Sequence, residues 1–219
     1  MGPNRRLVAV GLGLALLLAG SASAADFSPK VSFGLSDNKV KANPEIAIHV
    51  EQDGGEEELA HVTLSIPAGF KLPTDTKIED GDVLGTADIT IDSGPGCAAG
   101  GPTTPLEFAD RSIVERDRTE EQADEGVKAV WVVDLRPVTT IPLEVTGSVR
   151  KGFKLDGDIP ANELTCPPFT FDSTIFSESE GGVPLLKNPR RPGVAVFGAT
   201  FTSLSDSTKT IKQRIRIVR

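Results

Sequence analysis

The sequence predicts an all-β fold, an immunoglobulin-like antiparallel β-sandwich, from three observations. Short segments alternate apolar and polar residues with a period of two, and Gly, Pro, Asn and Asp turns punctuate them at regular intervals. No segment carries the 3.6-residue apolar spacing of an amphipathic helix, so layered strands are the remaining way to bury the apolar positions. The third observation is Val127 to Leu135, VKAVWVVDL, which holds the single tryptophan, Trp131, between valines. Neither its odd nor its even positions form a polar face, so it reads as a strand covered on both sides and as the centre of the core.

The chain opens with Arg5 and Arg6, an apolar run from Leu7 to Gly20, and the small residues Ala22-Ser23-Ala24. That order is a secretory signal peptide over residues 1–24, and the remaining domain spans 25–219. The run is shorter than the roughly 20 residues that cross a bilayer, and no comparable run follows, so no membrane insertion is expected after cleavage.

Alternation then marks Val31, Phe33 and Leu35; Ile46, Ile48 and Val50; and Ala60, Val62, Leu64 and Ile66 before Pro67. VLGTADITID alternates again. Residues at about 107–126 are the most charged part of the chain and predict an acidic, solvent-exposed excursion or short helix leading into the central strand. Strands resume at IPLEVTGSV, PPFTFDSTIF and GVAVFGATFTSL. The last, TKTIKQRIRIV, sets Ile211, Ile215 and Ile217 against Lys212, Arg214 and Arg216. Nine or ten strands follow from this pattern. VTLSIPAGFKL at 62–72 and VTGSVRKGFKL at 145–155 share seven of eleven residues, which raises a pseudo-repeat of two half-domains beside the plainer reading of one local strand-to-turn motif used twice.

The two cysteines, Cys97 and Cys166, are an even count in an exported chain and predict a disulfide, which would disfavour the unfolded chain by about 4 kcal/mol. Neither has a neighbouring His or basic residue to stabilise a thiolate. Cleavage after Ala24 removes two of the 23 basic and none of the 31 acidic residues, leaving a formal charge of −10. An acidic surface argues against nucleic acid as a partner.

The motifs of serine hydrolases, zinc proteases, P-loops and dinucleotide folds are missing from the sequence. Its two histidines, His49 and His61, fall on outward positions of like parity, so a hairpin pairing them would place two imidazoles together near Glu51, with Glu51 or Glu57 as a further metal ligand; the duller reading is two surface residues. DGD occurs twice, as Asp80-Gly81-Asp82 and Asp156-Gly157-Asp158, each soon after GFKL. The four aspartates are candidate oxygen ligands for Ca²⁺, and DGD is equally a turn signal. With no Tyr and one core Trp, sugar-stacking platforms are scarce. The cations of the last strand read as a charged face that discourages edge-to-edge aggregation.

Three stretches, VSFGLSDNKVKANPEI, LSIPAGF and LLKNPRRPGVAVFGATFTS, resemble secreted, uncharacterised β-sandwich domains of high-GC bacteria with an LSD then NP opening and an LP-x-G turn. The resemblance implies an export-linked sandwich and carries no catalytic residues. The chain departs from it at Ile66, where that turn prefers Leu. The expectation is a secreted, non-catalytic module of the bacterial cell envelope or extracellular space, with a protein or polymer of the envelope as partner and no cofactor. Two alternatives belong to other classes: a carboxylate-dependent hydrolase of a polysaccharide or envelope polymer, and a Ca²⁺-dependent adhesion module.

Overall fold

The computed structural model describes residues 26–73, 78–91, 105–160 and 167–219. The signal segment 1–24 and both Cys97 and Cys166 lie outside the described residues. Among the described residues eleven strands form: β1 (Lys30–Leu35), β2 (Ile46–Gln52), β3 (Leu59–Ile66), β4 (Val83–Ile91), β5 (Leu106–Arg116), β6 (Ala129–Leu135), β7 (Thr139–Ser148), β8 (Gly152–Asp158), β9 (Phe169–Ile175), β10 (Gly193–Ser203) and β11 (Thr208–Ile217). A short helix, α1 (Glu120–Asp124), precedes β6.

All the strands join one antiparallel sheet in the order β1-β2-β9-β4-β5-β6-β7-β8-β3-β10-β11. The all-β expectation holds. In place of the two separate sheets of an immunoglobulin-like sandwich, the hydrogen bonding gives a single sheet that curls until its ends nearly meet. A sheet this wide, twisted at every strand, cannot stay flat with one face apolar, and curling buries that face against itself.

An odd number of alternating strands leaves the first and last running parallel, so β1 and β11 cannot share an antiparallel ladder. Their seam is zipped at one end by backbone bonds, Val40 N–H to Val218 O at 2.8 Å and Val218 N–H to Asn38 O at 2.9 Å. Farther along, Gln213 substitutes for a strand: Phe33 N–H donates to its Oε1 and its Nε2 donates to Phe33 O, both at 2.7 Å. The side-chain amide thus does for Phe33 what a neighbouring peptide group would do.

Inward positions of every strand converge on one core that includes Phe33, Leu64, Trp131, Leu155 and Phe197. Phe197 packs on Phe33 with ring centroids 5.5 Å apart and edge-on to Phe70 at 5.2 Å. Trp131 is 1% exposed. The strand around it is buried on both faces as the sequence predicts, because Val130 and Val132 pack outside the barrel with Val114 and Val127.

The acidic stretch expected as a solvent-exposed excursion or short helix needs one correction. Residues 106–116 are strand β5, burying Phe108, Ile113 and Val114; only the following residues leave the sheet. Sequence alternation fails there because Asp110 takes a positive φ of 52° and the β4–β5 register shifts between Ala87 and Ile89. The helix α1 is started by a capping box in which Thr119 and Gln122 each bind the other's backbone N–H.

The GFKL segments share a local device: Gly69 and Gly152 both have positive φ, 96° and 89°, and Phe70 and Phe153 are buried. The sheet order does not set out two equivalent halves, since β3 lies between β8 and β10 and β7 between β6 and β8. After its turn the first segment leaves the sheet, whereas the second folds back as the β7–β8 hairpin.

Replacing Trp131 with Ala should cost about 3–5 kcal/mol, a large part of a typical domain stability. Chemical denaturation checks it; a loss below about 1 kcal/mol would mean that the core does not centre on Trp131.

Candidate functional site

The outer wall of β1, β2, β9 and β4 carries the densest array of chemically useful side chains among the described residues. Strand register fixes it: Ser32 lies across from His49, His49 from Asp172, and Asp172 from Asp88. His49 Nδ1 lies 2.7 Å from Asp172 Oδ1, and Asp88 Oδ1 accepts from Asp110 N–H at 2.7 Å. Gly34 and Ala47 leave little bulk beside the row, which produces a shallow depression of about 270 Å³ with Thr86 and Thr174 on its floor.

The row has the residue types of a Ser-His-Asp nucleophile system but not its surroundings. Strands β2, β9 and β4 are interior to the sheet, so their amides are committed to neighbours on both sides and none is free to steady an oxyanion. Asp88 and Asp172 rise from the same sheet floor, so they cannot flank a glycosidic bond from opposite sides. His49 and Asp172 have side chains 42% and 57% exposed, leaving the pair in water, where its electrostatic effect is weak.

The second histidine stands elsewhere. Strands β2 and β3 are not neighbours, so the expected hairpin pairing of His49 with His61 does not form. His61 Nδ1 lies 2.7 Å from Asp158 Oδ1 and its Nε2 3.7 Å from Asp156 Oδ1, while Thr63 Oγ1 donates to Asp156 at 2.6 Å. The expected further ligands are engaged too. Glu51 pairs with Lys30 at 3.6 Å, and the Glu57 carboxylate accepts from Ser203 and Ser205, each at 2.5 Å. Those hydroxyls hold the Glu57 carboxyl below its ordinary range.

The two DGD segments differ in structure. Asp80-Gly81-Asp82 is a turn, with Gly81 at φ 92°, Asp80 3.6 Å from Arg116 and accepting from Asp117 N–H at 3.2 Å. Asp156-Gly157-Asp158, expected as a turn or a cation loop, lies inside β8. Its glycine serves packing: a Cβ at Gly157 would sit 2.5 Å from Leu143 Cδ2 and 2.9 Å from Pro142 O. Alternation sends both aspartates outward to His61 and Thr63. The candidate calcium ligands thus fall into two separate groups, Asp80 and Asp82 at a turn near Arg116 and Asp156 and Asp158 beside His61, and among the described residues no group of three or more His, Cys, Asp or Glu is placed to hold a metal.

The barrel interior keeps an apolar cavity of about 80 Å³ beside Val50, Leu59, Ile89, Ile141 and Phe169. It is smaller than the roughly 150 Å³ of a cavity that takes up benzene, and far below the 300–1,000 Å³ of small-molecule sites.

One carboxyl group escaped the sequence reading. Glu115 lies across from Trp131 in the β5–β6 register, and Glu115 Oε2 and Trp131 Nε1 are both buried without a well-formed hydrogen bond. Burial pushes the Glu115 carboxyl up to about 7, against the weaker pull of the Val130 backbone and the Trp131 indole. An acid whose folded pKa is raised stabilises the fold fully below its unfolded value near 4.5, and that contribution is lost as pH rises toward 7. Glu115→Gln should therefore remove a decline in melting temperature between those two values; an identical pH profile in both proteins would contradict the burial of this carboxyl.

Comparison of the chain with protein-family models, with curated proteins and with solved structures gives no match, so the reading of the site rests on its geometry.

Proposed function

We propose that the chain is an exported, non-catalytic all-β domain that works as a structural or interaction module of the bacterial cell envelope or extracellular space. The observation that carries this reading is where the reactive side chains sit. His49 and His61 are each hydrogen-bonded to an aspartate on a neighbouring strand of an exposed sheet face, and the apolar cavity found inside the barrel among the described residues, about 80 Å³, is smaller than an organic ligand needs. Polar groups in this setting present a patterned surface to a partner and do not enclose a substrate. The leader over residues 1–24 and the likeness of three stretches to secreted bacterial domains support export.

A hydrolase is the second reading, favoured by the Ser32, His49 and Asp172 register. The two are separated by assaying the exported protein on activated esters, peptides and glycosides beside Ser32→Ala and His49→Ala. The module reading expects no turnover that depends on either side chain. Hydrolysis abolished by Ser32→Ala or His49→Ala would overturn it.

A further inference from the structure

The charges of this chain are segregated along the sequence and therefore around the barrel. Residues 181–219 hold eight basic side chains and one acid, whereas the preceding 180 hold 15 basic and 30 acidic. β10 and β11, which these residues build, contain no acid at all. Lys212, Arg214 and Arg216 alternate outward along β11, all exposed, and none makes an ion pair among the described residues. Val196 and Val194 lie directly across from Arg214 and Arg216, 41% and 62% exposed.

Guarding a sheet edge does not account for this face. β1 already stands beside β11 at the seam, and the cations project from the face of the sheet, away from its edge. Exposed valines between unpaired guanidinium groups have the composition of a docking surface, in which arginine is enriched and apolar contact supplies the central burial.

The same chain carries a complementary face. In sheet order, across the β11–β1 seam, β11 is separated from β9 by β1 and β2, about a third of the way round the barrel, with β4 and β5 following β9. There Asp172 and Asp88 stand directly opposite each other on adjacent strands, with Asp110 and Glu107 exposed beside them on β5. Like charges in register destabilise a sheet. His49 lies beside Asp172 only, Lys30 of β1 is already paired with Glu51 and Asp53, and Arg111 of β5 lines a surface depression with Asp110.

We propose that the outer face of β10 and β11 docks a second copy of this chain on the outer face of β9, β4 and β5, so that copies associate head to tail. Arg214 and Arg216 of one copy neutralise Asp88 and Asp172 of the next, and Val194 and Val196 fill the contact. Each copy keeps one free face of each sign, so the association is heterologous and extends into open chains unless the rotation closes a ring. The inference rests on the interaction-module reading and names its partner.

Two neutralising variants test it by sedimentation of the full exported protein. Arg214→Gln with Arg216→Gln removes the basic face, and Asp88→Asn with Asp172→Asn removes the acidic one; unchanged circular dichroism shows that each still folds. The wild type should form concentration-dependent oligomers. Each variant alone should associate at least about tenfold more weakly, although the aspartate variant carries less net charge and so repels itself less. Their mixture should give a one-to-one dimer that grows no further, because only one intact face of each sign remains. A wild type that stays monomeric, or a mixture that fails to pair, overturns head-to-tail docking. Co-sedimentation of a monomeric wild type with anionic lipid vesicles, lost in the arginine variant, would overturn it in favour of a lipid surface. Any of these failures leaves the non-catalytic reading standing, since that reading falls only to turnover dependent on Ser32 or His49.

Discussion

The structure depends on how an eleven-stranded antiparallel sheet closes. Its two ends run parallel, so they cannot complete the ladder that joins every other pair, and the apolar inner face would be left open along one side. Gln213 answers this with one side chain, donating to and accepting from Phe33 at 2.7 Å in each direction. It occupies an inward position in a file otherwise made of Ile211, Ile215 and Ile217, so it sacrifices apolar packing at one site to satisfy two backbone groups that would otherwise face a dry seam. Asn188 reinforces the zipped end by donating to the carbonyls of Asp37 and Lys39, at 2.9 and 2.8 Å.

Closure determines what the protein can do chemically. Among the described residues the inner face is filled by side chains from opposite walls around an apolar cavity of about 80 Å³, and no Asp, Glu, Lys, Arg or His is among the fully buried residues. On such a surface a histidine beside an aspartate is stabilised by its neighbour but is not enclosed. What such a surface presents is a pattern of charge across neighbouring strands. That pattern is uneven here: Asp172 and Asp88 stand opposite each other on β9 and β4, whereas the cations of β11 make no ion pair among the described residues and lie across from two exposed valines.

Much of the fold was legible in the residues. Alternation located β1 to β4, β7 and β9 to β11 but not β5 or β8, and the lack of a polar side in VKAVWVVDL correctly marked β6 as a strand buried twice over. Local signals failed where geometry is set from a distance. The glycine of Asp156-Gly157-Asp158 looked like a turn because glycine and aspartate favour turns, yet its cause is the side chain of Leu143 on the adjacent strand. Residues 107–116 looked too charged to bury a face, because a bulge at Asp110 breaks the period of two that would have revealed Phe108 and Ile113. The partners of His49 and His61 were hidden for a related reason: Asp172 is 123 residues from His49 and Asp158 is 97 from His61, and only sheet order brings each pair together. Gln213 alone offered a signal that could have been used, as the one polar residue on an isoleucine face.

Amide hydrogen exchange at Phe33 tests the closure most directly. Phe33 N–H has no strand partner on that side, so its protection depends on Gln213. If the seam is closed as described, this amide exchanges slowly in the native protein and becomes fast in Gln213→Ala while the amides of β6 remain protected. If Phe33 exchanges as fast as a solvent-exposed amide in the unaltered protein, the sheet is open and the account of its core fails.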